Sequence, residues 1–170
     1  AIEGRSALYL SNHQVGVESV SFAIVASALS GTPTMALAKI EHRESWLGRL
    51  LSHSFGYPGM TDPELLYFFD RSDPSALPDI VGKLSSRMKA HRRSMLVHVQ
   101  GTRSVSARTP VDTLAGLFVD MALEAQIPIV PVRFTGGLPV EPVAQRLDFP
   151  LGMGSQDYWF GRPILPETLA

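Results

Sequence analysis

The chain has 170 residues, of which 45% are hydrophobic and 18% are charged, and its formal net charge is −1. These values suit one globular domain with a sizeable core, and the near-zero charge excludes bulk electrostatic attraction to nucleic acid. The sequence contains no cysteine, which excludes disulfide bonds, thiolate metal sites and thiol nucleophiles and fits a reducing compartment.

Strand-like and helix-like hydrophobic patterns alternate along the chain, without an internal repeat. Predicted strands cover 7–10, 34–40, 65–69, 95–99, 127–134 and 158–160, and predicted helices cover 20–29, 46–53, 77–91 and 112–126. The segment 135–153 is rich in Gly and Pro and is predicted to be a long surface excursion. This alternation predicts an α/β fold with a largely parallel sheet that is flanked by helices.

The turn between the first predicted strand and the first predicted helix carries an ionisable pair. His13 follows the strand, and Glu18, five residues later, is within reach of the ring if the helix begins just after His13. A carboxylate at this spacing can reach the imidazole, fix its tautomer and stabilise the imidazolium, which leaves the other ring nitrogen free to accept a proton. From these residues alone, a capping or surface pair is the alternative interpretation.

Cationic side chains follow the third and fourth predicted strands, at the sheet edge where α/β proteins hold their ligands. Arg71 follows the third strand and could receive a phosphate in bidentate geometry. After the fourth strand, Gly101 and Thr102 precede Arg103, and this turn could form a phosphate nest. Ordinary turns with solvated charges are the alternatives at both places.

Taken together, these motifs resemble the blocks of the glycerolipid acyltransferases, a family that includes the 1-acylglycerol-3-phosphate O-acyltransferases. The resemblance rests on Asn12-His13 with an acid at position 18, Phe68-Phe69-Asp70-Arg71, Gly101-Thr102-Arg103-Ser104, and the proline-interrupted strand 127–132. The blocks occur in the family's order over nearly the whole chain. Two residues depart from the family's pattern, since Glu18 stands where the family has Asp and Gln100 where it has Glu.

The resemblance implies a glycerol-3-phosphate acyltransferase-like fold and an O-acyltransferase. The implied reaction moves a fatty acyl group from acyl-CoA or acyl carrier protein to the free hydroxyl of a lysophosphatidic-acid-like acceptor. His13 and Glu18 would be the catalytic dyad, with Lys39 near the acyl carbonyl. The residues implied in substrate binding are Asn12, Lys39, Arg71, Gln100, Gly101, Thr102 and Arg103. We expect no cofactor beyond the acyl donor and no metal, since the five histidines show no ligand spacing.

Two other functions remain open from the sequence. A lipid-binding or acyl-carrier-binding domain without catalysis would follow if the changes at positions 18 and 100 had removed the chemistry. A Ser-His lipid esterase is the second alternative because Ser11 and Ser19 flank the dyad, although no Gly-x-Ser-x-Gly motif is present.

The chain contains no apolar run of roughly 20 residues and no signal peptide pattern, so we expect a cytoplasmic location. A short apolar and basic segment suits peripheral contact with the cytoplasmic face of a membrane; it contains Arg43, Trp46, Leu47, Arg49, Leu50 and Leu51, and Phe55 and Tyr57 follow it. A helix packed on the sheet is the alternative interpretation. We further expect residues 1–170 to form a single acyltransferase domain excised from a longer protein.

Overall fold

A computed structural model describes residues 4–54, 65–70, 73, 75, 77–106, 108–111, 116–138, 142–150 and 155–169. Its strands are β1 (Leu8–Ser11), β2 (Thr34–Lys39), β3 (Leu66–Phe69), β4 (Ser94–His98), β5 (Ile129–Thr135) and β6 (Asp157–Phe160). Its helices are α1 (Glu18–Ser30), α2 (Trp46–Ser54), α3 (Leu77–Ala90), α4 (Leu117–Ala125) and α5 (Pro166–Leu169), and a 3₁₀ helix covers Ile40–Glu44.

The described strands form one sheet in the order β3-β2-β4-β1-β5-β6, and only β6 is antiparallel to its neighbour. The α/β fold with a largely parallel sheet is therefore confirmed. Strand β1 lies between β4 and β5, and Ser11 at its end is in register with His98 at the end of β4. The loops that follow β1 and β4 consequently meet at one edge of the sheet.

Two hydrophobic clusters cover the two faces of the sheet, as the alternation of side chains along a strand requires. On one face, Leu8 and Met95 pack with Leu84 and Met88 of α3. On the other face, Tyr9 and its strand neighbours pack around Phe22 of α1, which is fully buried. The helices therefore lie on both sides of the sheet, with α1 fixed directly behind the turn that carries His13.

Most predicted elements lie within two residues of their observed limits. Helix α1 ends at Gly31, which takes a left-handed conformation (φ 67°) and donates its N–H to the carbonyl of Ser27. The described part of α4 begins at Leu117, while residues 112–115 of the predicted helix lie outside the described residues. The four-residue helix α5 was not predicted. None of the described helices is long and apolar enough to cross a membrane.

Residues 142–150, in the predicted surface excursion 135–153, are exposed or half-buried, and residues 147 and 148 also contact the turn that carries His13. Leu147 forms a parallel bridge with Val15, and its carbonyl accepts the N–H of Gly16 at 3.0 Å. The carbonyl of Asp148 accepts the N–H of Val17 at 2.9 Å. The turn between β1 and α1 has backbone donors that need partners, and this later segment supplies them.

Candidate active site

His13 and Glu18 form a hydrogen-bonded pair at the start of α1. Nδ1 of His13 lies 2.6 Å from Oε1 of Glu18, and the same oxygen accepts the backbone N–H of Gln14 at 2.6 Å. The side chain of Glu18 is fully buried, whereas that of His13 is 16% exposed. The positive end of the helix dipole favours a carboxylate in this first turn. With Nδ1 directed at the carboxylate, Nε2 of His13 is left for a reacting proton.

The surroundings of His13 favour its neutral form. Burial is the main cause that lowers the pKa of His13 to about 3, and the charges of Arg103, His42 and Lys39 lower it further. The imidazole is therefore uncharged near pH 7. An uncharged imidazole is the form that can accept a proton from a substrate.

Burial acts in the opposite direction on Glu18. It raises the pKa of Glu18 to about 7, although a proton on His98 would favour the carboxylate, as do the hydrogen bond from Gln14 and the charge of Arg103. Both protonation states of Glu18 are consequently populated near neutral pH. Only the ionised state of Glu18 could stabilise an imidazolium on His13, so any such stabilisation depends on the protonation state of Glu18.

A cavity of about 460 Å³ lies beside His13 at the carboxyl ends of the strands. Its polar lining residues include His13, Ser19, Lys39, His98, Thr102 and Arg103. Its apolar lining residues include Leu37, Leu47, Leu66, Phe68, Val97 and Phe118. A volume of this size is within the usual range for small-molecule sites. The apolar lining residues, together with the cationic side chains of Lys39 and Arg103, suit an amphiphilic ligand with an apolar chain and an anionic group.

The turn after β4 is joined to the His13 loop. The N–H of Ser104 donates to the carbonyl of His13 at 2.7 Å, and Gly101 adopts a φ of 63°, which favours glycine. Among the described residues of this turn, Gly101, Thr102 and Arg103 line the cavity, but Gln100 does not. The predicted turn therefore reaches the site through its second half.

Arg103 is engaged within the chain. Its guanidinium pairs with the carboxylate of Asp148, and its Nη1 donates to the carbonyl of Leu147 at 2.7 Å. The side chain of Arg103 is 19% exposed and that of Asp148 is 54% exposed. A phosphate that binds Arg103 must therefore share the guanidinium with the carboxylate of Asp148 or displace that carboxylate. Sequence reasoning missed Asp148 because it lies in the segment that was predicted to be a surface excursion.

Asn12 makes contacts that hold the sheet together. Its side-chain amide donates to the carbonyl of Phe134 at 3.0 Å, and its side-chain oxygen accepts the N–H of Phe134 at 2.7 Å. The residue is buried, and these bonds fix the end of β1 against β5. Its predicted part in substrate binding stays a prediction.

Of the two other cations predicted in the site, Lys39 belongs to the described residues and Arg71 does not. Lys39 ends β2 and lines the cavity, and its predicted contact with an acyl carbonyl stays a prediction. Arg71 lies outside the described residues. Its predicted contact with a phosphate therefore also stays a prediction.

His98 is the site residue that sequence reasoning overlooked. Its ring stacks on that of His13, with centroids 3.7 Å apart and planes 12° from parallel. Nδ1 of His98 lies 2.8 Å from the carbonyl oxygen of Asn12, and Nε2 lies 2.7 Å from Oγ of Ser19. Burial is the main cause that lowers the pKa of His98 to about 3. The sequence signal was a histidine at a strand end, but only the pairing of β1 with β4 places it against His13.

His13, Glu18 and His98 offer potential metal ligands within 4.8 Å of one another. Nδ1 of His13 faces Glu18, however, and both nitrogens of His98 have hydrogen-bond partners. The lone pairs of two stacked imidazoles lie in nearly parallel planes, so they do not converge on one ion. The arrangement fits a proton-transfer site better than a coordination site.

The acyltransferase family model matches residues 1–135, a range that contains β1 to β5, the dyad and the turn after β4. A search of curated proteins gave no significant match. The family match covers well over half of the chain and agrees with the order of the motifs. The chain therefore belongs to the glycerolipid acyltransferase family.

Proposed function

We propose that this acyltransferase moves a fatty acyl group from an acyl thioester to the free hydroxyl of a lysophosphatidic-acid-like acceptor, with His13 as general base. The observation that carries the proposal is the 2.6 Å contact between Nδ1 of His13 and Oε1 of Glu18 beside a partly apolar cavity. Membership of the family supports acyl transfer as the general reaction. The acceptor, the donor and the roles of the two residues belong to the proposal.

In the proposed reaction, Nε2 of His13 takes the proton of the acceptor hydroxyl as its oxygen attacks the thioester carbonyl carbon. Glu18 stabilises the imidazolium that forms, and Lys39 stabilises the tetrahedral oxyanion. The carbon–sulfur bond then breaks, and the thiolate takes the proton from His13. The products are an ester and a free thiol, so protons and electrons balance without a cofactor.

The cavity supports an amphiphilic substrate. Apolar side chains such as Leu37 and Phe118 can hold acyl chain, while Lys39 and Arg103 give the rim a positive charge. The thioester is common to acyl-CoA and acyl carrier protein, so both are proposed donors.

A peripheral membrane contact is part of the same proposal. Trp46 lines the cavity, is 51% exposed and stacks on Phe149 with ring centroids 5.0 Å apart. Leu50, one turn later in α2, is 54% exposed. Trp46 lines the cavity, and its exposed indole supports entry of a lipid substrate from a bilayer surface.

The test measures thioester consumption with lysophosphatidic acid and either donor, and identifies the lipid product by mass spectrometry. His13→Ala is compared with His91→Ala, which changes an exposed histidine in the turn after α3. We expect phosphatidic acid from the wild type and from His91→Ala, and at least a 1000-fold lower rate from His13→Ala. Turnover by His13→Ala at the wild-type rate would exclude His13 as the base. Ligand binding by a wild type that makes no product would favour a non-catalytic binding domain.

A Ser-His esterase is a second candidate because Oγ of Ser19 lies 2.7 Å from Nε2 of His98. This route would form an acyl ester on Ser19 and release free fatty acid. Nδ1 of His98 faces the backbone carbonyl of Asn12, whereas Nδ1 of His13 faces the carboxylate of Glu18, so an imidazolium on His98 would lack a hydrogen-bonded counter-charge. Intact-protein mass spectrometry after mixing with acyl-CoA separates the routes, because direct transfer leaves no acyl group on the protein.

A further inference from the structure

We infer that His98 is a positioning residue for His13, a neutral aromatic platform that holds the ring of the base and stabilises its imidazolium during acyl transfer. The inference rests on the proposed function of His13. It assigns a role to a residue that is not among the predicted site residues.

The first support is the contact between the rings. The imidazole centroids of His13 and His98 are 3.7 Å apart and the rings are nearly parallel, while Oε1 of Glu18 contacts Nδ1 of His13 at 2.6 Å. The carboxylate alone would let the ring swing about the Nδ1 contact. The face-to-face contact with His98 removes that freedom, so two neighbours fix the direction of Nε2.

The second support is the way in which His98 is itself held. A backbone carbonyl only accepts hydrogen bonds, so the 2.8 Å contact with Asn12 places a hydrogen on Nδ1 of His98, and Oγ of Ser11, 3.0 Å from the same nitrogen, then also accepts. Nε2 then accepts the hydroxyl hydrogen of Ser19, and Phe134 packs edge-on against the ring at 5.8 Å. These partners select the neutral tautomer with hydrogen on Nδ1. The titratable groups that face this ring are His13, from the loop, and Glu18, from α1.

The third support is the charge that develops during the reaction. His13 is neutral before transfer and positive while it holds the acceptor's proton. A cation is attracted to the face of a neutral aromatic ring, so the contact with His98 becomes stronger in the transition state than in the resting site. A protonated His98 would instead repel the imidazolium, which explains why the platform must stay neutral.

Three variants separate this role from others. His98→Phe keeps an aromatic face without ring nitrogens, His98→Ala removes the face, and Ser19→Ala removes one anchor. We expect His98→Ala to lower kcat about 10-fold with little change in KM, and His98→Phe to restore kcat to within about threefold of the wild type. Ser19→Ala should lie between the wild type and His98→Ala.

A measurement on the wild type tests the platform without relying on turnover. In ¹H–¹⁵N spectra of the imidazoles, His98 should show hydrogen on Nδ1 and no titration between pH 5 and 8, and His13 should lose a ring-current shift in His98→Ala. If the spectra give this result but the wild type is inactive, the proposed function is refuted. The stacked pair with a neutral His98 still stands in that case. His98 that titrates in this range, or that carries hydrogen on Nε2, would overturn the inference.

Three further results would also overturn the inference. If His98→Phe is as slow as His98→Ala, the ring nitrogens do the chemistry and the aromatic face does not. If an acyl group is found on Ser19, His98 acts as the base of a covalent route. Full activity of a folded His98→Ala would show that His13 needs no platform.

Discussion

Replacing Glu18 by Gln tests the dyad most directly, because the substitution removes the charge and keeps the length of the side chain. In the structure, Oε1 of Glu18 faces both Nδ1 of His13 and the N–H of Gln14, and Oε2 is buried without a hydrogen-bond partner among the described residues. If the amide oxygen takes the place of Oε1, the amide NH₂ occupies the apolar place of Oε2. If the amide NH₂ instead takes the place of Oε1, it faces the N–H of Gln14, another donor, and its hydrogen bond to His13 requires the tautomer without hydrogen on Nδ1.

Either arrangement lowers activity. A buried donor without an acceptor costs about 1 to 3 kcal/mol, and the imidazolium of His13 loses its counter-charge in both cases. Loss of a carboxylate that orients a catalytic histidine has cost about 10⁴-fold in a well-studied triad. We expect kcat/KM for Glu18→Gln to fall about 1000-fold, which corresponds to about 4 kcal/mol of transition-state stabilisation.

The pH dependence gives a second readout of the same prediction. The pKa of Glu18 is about 7 and that of His13 is about 3, so His13 is neutral throughout the assay range while Glu18 ionises within it. Because only ionised Glu18 supports the base, kcat/KM of the wild type should rise with pH and reach half its maximum near pH 7. This midpoint belongs to the coupled pair, and it should disappear in Glu18→Gln.

The assay follows acyl transfer from pH 5 to 9, with Glu124→Gln as the control because Glu124 is an exposed acid in α4. Glu18→Asp is the companion variant, since it keeps the charge and shortens the side chain by about 1.5 Å. It should lose about 100-fold in rate and keep the midpoint. A Glu18→Gln enzyme within tenfold of the wild type, or one with the same midpoint, would refute the assignment of Glu18.

The remaining predictions concern other parts of the fold. Asp148→Asn should lower KM for lysophosphatidic acid about fivefold by releasing Arg103 from its counter-charge, with no change for a monoacylglycerol acceptor; equal effects on both would refute this. Asn12→Ala should cost about 2 to 4 kcal/mol in the free energy of unfolding, measured in urea, because it leaves a buried N–H and a carbonyl of β5 without partners. Leu84→Ala, in the core, should cost about 2 to 5 kcal/mol, whereas Leu29→Ala, at a 70% exposed position, should cost less than about 1 kcal/mol; similar costs would contradict the described core.

Local physical chemistry determined much of this protein from its sequence. The periods of hydrophobic residues located the described strands and most helices, because side-chain alternation and helical spacing depend on near neighbours. The contact between His13 and Glu18 was also predictable, since five residues across a strand-to-helix turn allow few arrangements. The order of motifs was enough to identify the family.

Only the tertiary structure decided which distant groups share the site. Sequence neighbours β1 and β2 are not paired in the sheet, because β4 lies between them, and this insertion places His98 against His13. Asp148 reaches Arg103 because the backbone of the first turn needs partners from a later segment. Such pairings depend on burying all the strands and backbone groups of the domain at once, and no local stretch of sequence contains that information.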